Sequence, residues 1–274
     1  RRQRQLAQPA FNRSSLADCA PVMVRVAEQV LDGWSHGEVR DVHREMCRIT
    51  VTTVAEALFG VETAIDLDRV ATSVGQLNLA TSERLKTYFA IPEWVPTPAN
   101  RRLRAAAREL DDVARGLVAA RRAAGGVGDD LLSVYLRARD TSGGWMSERL
   151  LRDEVVTFLL TGHESVSLSL TWAWYLLGQH PTVEAAFHAE LQEVLGGRPP
   201  TVEDRPRLRY TEAVFQEALR LYPPIWLYAR VATRTTTIGG DRIPKGRRIV
   251  VSPWTLQRDP RFFDDPDRFD PDRW

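Results

Sequence analysis

Cysteine is scarce in this sequence: Cys19 and Cys47 are the only two in 274 residues. They form no Cys-x-x-Cys pair and have no clustered histidines beside them, so the spacing supports neither a disulfide framework nor a zinc site. A reducing, cytoplasmic setting follows. Net charge is just as scarce. Lys plus Arg number 37 against 36 Asp plus Glu, a net of +1, which leaves no electrostatic footprint for nucleic acid or an anionic membrane. A small or apolar partner is the more natural expectation. No basic leader followed by an apolar stretch is visible as a signal peptide, and there is no internal repeat. Apolar residues are plentiful, at 43% of the chain, enough for one large domain or two ordinary ones with a substantial core.

The apolar spacing Val22-Val26-Val30, and again Ile49 to Phe59 ahead of Gly60, predicts helices through the first 90 residues. His43 and Glu45 read there as a local pair across a helix face, with no partner cluster that would signal chemistry. Three prolines within Ile91-Pro92-Glu93-Trp94-Val95-Pro96-Thr97-Pro98 predict a loop, whose Ile and Trp make it a candidate flap over something apolar. A charged helix follows from about Asn100 to Ala124, stopped by Gly125-Gly126-Val127-Gly128. Another helix starts near Asp130. Beyond the Thr141-Ser142-Gly143-Gly144 turn, Ser147 and the acidic stretch from Glu148 to Glu154 mark a helix start, and His180-Pro181 closes that helix after Gln179. At 1.5 Å per residue, its roughly 30 residues span about 45 Å. After two more helical stretches, Arg234 to Ile238 alternates toward Gly239-Gly240, and Arg247 to Ser252 is β-branched, which predicts a small sheet. Pro260, Pro266 and Pro271 make the end an irregular meander. The expected fold class is mainly α with a small β portion.

The long helix carries an anomaly. Between Phe158-Leu159-Leu160 and Leu168-Ser169-Leu170 stand Thr161, Gly162, His163, Glu164, Ser165 and Ser167. Val155 to Leu177 is long enough to span a bilayer, but Glu164 beside His163 at its midpoint argues against lipid. Two readings remain open on the residues alone. One is a polar network satisfied within the core. In the other, Gly162 lets a flat ligand approach the backbone while Glu164 and Ser165 offer a carboxyl and a hydroxyl for proton delivery.

Thr161-Gly162-His163-Glu164-Ser165 resembles the oxygen-activation motif of the cytochrome P-450 family, Ala/Gly-Gly-x-Glu/Asp-Thr. Thr161 replaces the usual small residue. Ser165 replaces a threonine and keeps its hydroxyl but not the methyl that restricts its rotamers. Further along, Glu217 and Arg220 lie at i and i+3 among Val214, Phe215, Ala218, Leu219, Leu221 and Tyr222. That setting argues for burial and a third partner. They resemble the family's Glu-x-x-Arg motif, and Pro271-Asp272-Arg273 resembles the Pro-x-Arg stretch that joins it, which makes Glu217, Arg220 and Arg273 a structural triad.

The resemblance implies more. It gives a single domain over residues 1–274 with the P-450 fold, truncated at both ends: the family's Trp would precede Arg1, and the loop with the cysteine ligand would follow Trp274. It makes Glu164, Ser165 and Gly162 catalytic. Arg4, Arg230, Thr161 and Gly162 become haem contacts, the two arginines on propionates, where a guanidinium fork suits a carboxylate. Leu160, Thr161, Ile225, Trp226 and Leu227 become substrate contacts, with a lipophilic substrate such as a terpenoid. No residue present is assigned to the metal. The implied cofactors are haem b and NAD(P)H, the latter acting through a ferredoxin or flavodoxin-type donor, and the implied reaction inserts one oxygen atom from dioxygen. The alternatives are a non-catalytic helical fragment, an apolar-ligand module without haem, and a haem protein driven by peroxide.

Overall fold

The computed structural model describes residues 7–11, 13–60, 67–86, 92, 94–125, 128, 130–138 and 146–274. Arg4, the turn at residues 141–144, and Ile91 and Glu93 of the proline loop lie outside the described residues. The helices are α1 (Arg13–Leu31), α2 (Val42–Phe59), α3 (Leu67–Lys86), α4 (Pro98–Ala123), α5 (Leu131–Arg137), α6 (Glu148–Gln179), α7 (Pro181–Leu195), α8 (Arg209–Leu221) and the single turn α9 (Pro253–Leu256). The strands are β1 (Tyr228–Val231), β2 (Thr236–Ile238), β3 (Asp241–Ile243) and β4 (Arg248–Val251). The chain gathers into two compact units, Arg1–Ser167 and Leu168–Trp274, with α6 beginning in the first and ending in the second.

Local chemistry sets the helix ends in the first unit. Asp41 caps α2 by accepting from the Arg44 N–H, and Gly60 closes it in a left-handed conformation at φ 60°. Thr97 accepts from the Asn100 N–H, and Pro98 occupies the first helical position, where its fixed φ is already correct and no N–H is missed. That moves the start of α4 two residues ahead of the expected Asn100. The buried Asn100 side chain donates to the Pro92 and Val95 carbonyls, both at 2.9 Å, and so ties the proline loop to α4. Trp94 on that loop is 79% exposed. The core joins Phe59, Leu117, Leu131, Leu132 and Tyr135 to Leu151, Val155 and Leu159 of α6. Each such side chain is worth about 1.5–3 kcal/mol of burial.

In the second unit α7 and α8 pack together around Val214, Ala218 and Leu221, with Ala173 and Leu176 of α6 and Phe269 of the meander. The start of α8 is capped from outside itself: Glu190 on α7 accepts from the Tyr210 and Thr211 N–H groups at 2.6 and 2.8 Å. β1 pairs antiparallel with β4, and β2 with β3 across Gly239-Gly240, whose φ angles of 58° and 93° only glycine adopts readily. Among the described residues no helix is long and apolar enough to cross a membrane.

Candidate functional site

On α6 the buried stripe recurs every four residues. Leu151, Val155 and Leu159 are its apolar part, and His163 and Ser167, 2% and 0% exposed, continue it in polar form. His163 Nδ1 donates to the Leu159 carbonyl at 2.5 Å, which places its proton on Nδ1. Burial, reinforced by neighbouring His43 and opposed by that hydrogen bond, lowers the His163 pKa and keeps the ring neutral near pH 7.

Around this stripe stand the residues expected to do chemistry. Gly162 faces α2 closely enough that a Cβ there would lie 3.0 Å from Val54 Cγ2. The glycine lets two helices approach, and a β-branched valine has little room to give. The Thr161 hydroxyl donates to the Thr157 carbonyl at 2.7 Å. Ser165 Oγ sits a long 3.4 Å from the Thr161 carbonyl, a much weaker back-bond on the same helix. Glu164 and Ser165 are both half-buried. Leu160 packs against the cluster of Val51, Val70, Val74 and Leu110.

α2 holds what the sequence reading missed. His43 and Glu45 do not pair, because residues two apart on a helix point to different faces. Arg40 and Arg48 take Glu45, each at 3.4 Å. His43 instead meets Cys47, one turn on, with Nε2 3.7 Å from Sγ. The signal available in sequence was the i, i+4 spacing of these two residues.

In the second unit the structure brings together Glu217, Arg220 and Arg273. Glu217 Oε1 accepts from Arg220 Nη2 at 2.8 Å, Arg273 Nε at 3.1 Å and the Asp270 N–H at 3.1 Å. Its Oε2 accepts from Arg220 Nε at 2.8 Å and Trp274 Nε1 at 3.0 Å. The remaining Arg220 hydrogens go to the carbonyls of Gln257, Pro266 and Arg268, so all five donors of this buried guanidinium are used. Burial alone would raise the Glu217 pKa, but these donors outweigh it and hold the carboxyl below its usual range.

Ile225, Trp226 and Leu227 are 62%, 59% and 43% exposed. Arg230 is exposed, stacks over Tyr228 at 4.9 Å and donates to the Ala229 carbonyl. Among the described residues no carboxylate pairs with it. Burial pushes both thiols up, with Asp18 adding to the effect at Cys19 and Ser167 opposing it at Cys47. A groove of about 260 Å³ lined by Leu170, Ala173, Leu177, Phe187, Val214 and Phe215 contains none of the expected site residues.

The family model for cytochrome P-450 matches residues 1–274. Cyclooctatin synthase of Streptomyces melanosporofaciens is 41% identical over 279 residues, covering all of this chain and 60% of the relative. Pentalenene oxygenase of Streptomyces avermitilis is 36% identical over 277 residues, covering all of this chain and 61% of the relative. The crystal structure of the cytochrome P-450DA haem domain superposes with a TM-score of 0.81 at 29% identity, over 98% of this chain and 60% of that one. The chain thus spans about 60% of the length of the relatives it matches.

Proposed function

This chain belongs to the cytochrome P-450 family, and from that premise we propose that the full-length protein is a haem-dependent monooxygenase, which inserts one oxygen atom from dioxygen into a lipophilic small molecule. The observation that carries this reading is the polar turn at the centre of α6, where Glu164 and Ser165, adjacent in the chain, are both half-buried. Relatives named cyclooctatin synthase and pentalenene oxygenase support a substrate of the terpenoid class. Bound haem b would supply the activation of dioxygen. Arg230 and Arg4 hold its propionates. Glu164 takes up a proton, and the Ser165 hydroxyl passes it on toward the reacting oxygen. Thr161 and Gly162 would contact the haem, and Leu160, Thr161, Ile225, Trp226 and Leu227 would exclude water and orient the substrate. The Glu217–Arg220–Arg273 triad fixes the meander. Electrons come from NAD(P)H through a ferredoxin or flavodoxin-type donor, in the cytoplasm.

The reduced carbon monoxide complex of the full-length protein tests the haem assignment. The expected Soret band is red-shifted, as thiolate ligation makes it. A band in the position of histidine-ligated haem, or no haem retained on purification, overturns it.

A further inference from the structure

The turn of α6 that carries Glu164 and Ser165 rests against α2 at Gly162. A Cβ built on this glycine would meet three atoms of one residue, Val54, with Cγ2 at 3.0 Å, Cγ1 at 3.6 Å and Cβ at 4.0 Å. Carbon atoms in good contact sit about 3.5–4.0 Å apart, so nothing fits between the valine and the α6 main chain. Val54 is 8% exposed and belongs to the core cluster of Phe59, Val155 and Leu159. Its branched side chain has one strongly preferred χ1 in a helix, so it does not swing aside. Two residues before Gly162, Leu160 packs against the cluster that holds Val51, which shares a face of α2 with Val54. Most core side chains meet other side chains, whose rotamers absorb a change. Here the valine meets bare backbone, and Glu164 and Ser165 follow within a single turn of the same helix. A displacement at Gly162 therefore reaches both of them as a displacement of main chain.

We infer that Val54 is a positioning residue for the proton relay: its two γ-methyl groups are the stop that sets how far Glu164 and Ser165 stand from α2, and so where their oxygens are presented. The inference rests on the role proposed above for Glu164 and Ser165. Val54 handles no proton itself; it acts through the α6 main chain. A misplacement of about 1 Å costs about 10²-fold in rate, and a fraction of that displacement, once the methyl groups are gone, sets the expected loss at about tenfold.

A double-mutant cycle in the full-length haem protein reads the contact without turnover. Alanine forms helix better than glycine, so Gly162→Ala lowers the urea midpoint where Val54 is in the way and raises it in the Val54→Ala background, where the space is open. A Gly162→Ala shift of the same sign and size in both backgrounds overturns the contact. Turnover reads the positioning. Val54→Ala lowers the share of NAD(P)H electrons that reach product by about tenfold with an unaltered haem spectrum; the remaining electrons leave as hydrogen peroxide, two electrons and two protons for each dioxygen. Val54→Thr keeps the branched shape but puts a hydroxyl in an apolar site, so it loses stability and keeps wild-type coupling. Equal loss of coupling in the two variants makes Val54 core packing only and overturns the inference. Wild-type coupling in Val54→Ala overturns it as well, and overturns it alone when Glu164→Gln has lost turnover. Unchanged turnover in Glu164→Gln overturns the role of Glu164 on which it rests.

Discussion

Glu217→Gln is expected to destabilise the full-length protein by about 3–5 kcal/mol, because it leaves the Arg220 charge buried without compensation. The amide keeps the shape but turns a donor toward a site that already holds the N–H groups of Arg220, Arg273, Asp270 and Trp274. Against a typical total of about 5–15 kcal/mol, that is about a fifth of the folding free energy at the least. Removing both partners does not restore it. Arg220 also serves three meander carbonyls, at Gln257, Pro266 and Arg268, so Glu217→Leu with Arg220→Met orphans each of them. Urea unfolding midpoints decide the matter, and a Glu217→Gln midpoint equal to wild type contradicts this account. The acid limb gives a second reading. The folded carboxyl titrates below its ordinary 4.5, so its contribution is fully present above that pH and is lost as pH falls below it toward the folded value. The wild type therefore loses stability more steeply below about pH 4.5 than Glu217→Gln, which has no carboxyl to protonate.

Ser165→Ala is expected to lower kcat and kcat/KM together by about 10²–10⁴-fold while substrate binding stays the same, since the hydroxyl acts on a proton in flight and not on the bound substrate. Glu164→Gln falls in the same range. Ser165→Thr separates hydroxyl from shape: it keeps the donor and adds the methyl that restricts χ1, so activity is retained or raised. A rise in KM at constant kcat for Ser165→Ala places the serine in substrate binding instead. Peroxide-driven chemistry predicts no loss in that variant. Steady-state kinetics with saturating NAD(P)H and electron donor distinguish the three outcomes.

Much of this architecture was legible in sequence because it depends on residues close together in the chain. α6 starts after Ser147 and ends before His180-Pro181, where acidic residues, hydroxyl and proline mark its ends. The Glu217–Arg220 pair needed only i, i+3 spacing in an apolar setting to be read as buried. What was not legible depends on contacts across the chain. Glu190 caps a helix twenty residues further on, and no local pattern announces that. The acceptors of Arg220 are mostly backbone carbonyls, which carry no side-chain signature. His43 was matched with the nearest carboxylate in sequence, whereas helical geometry gave Glu45 to Arg40 and Arg48 and turned His43 toward Cys47. Gly162 was read as room for a ligand; the helix also uses it as the point where Val54 packs.

Turnover of the full-length protein under isotopically labelled dioxygen, with NAD(P)H, an electron donor and a terpenoid hydrocarbon, tests the proposed function most directly. The account predicts one labelled oxygen atom in each product molecule, and loss of that product in Ser165→Ala. Product carrying oxygen from water, or label incorporation undiminished by Ser165→Ala, would contradict it.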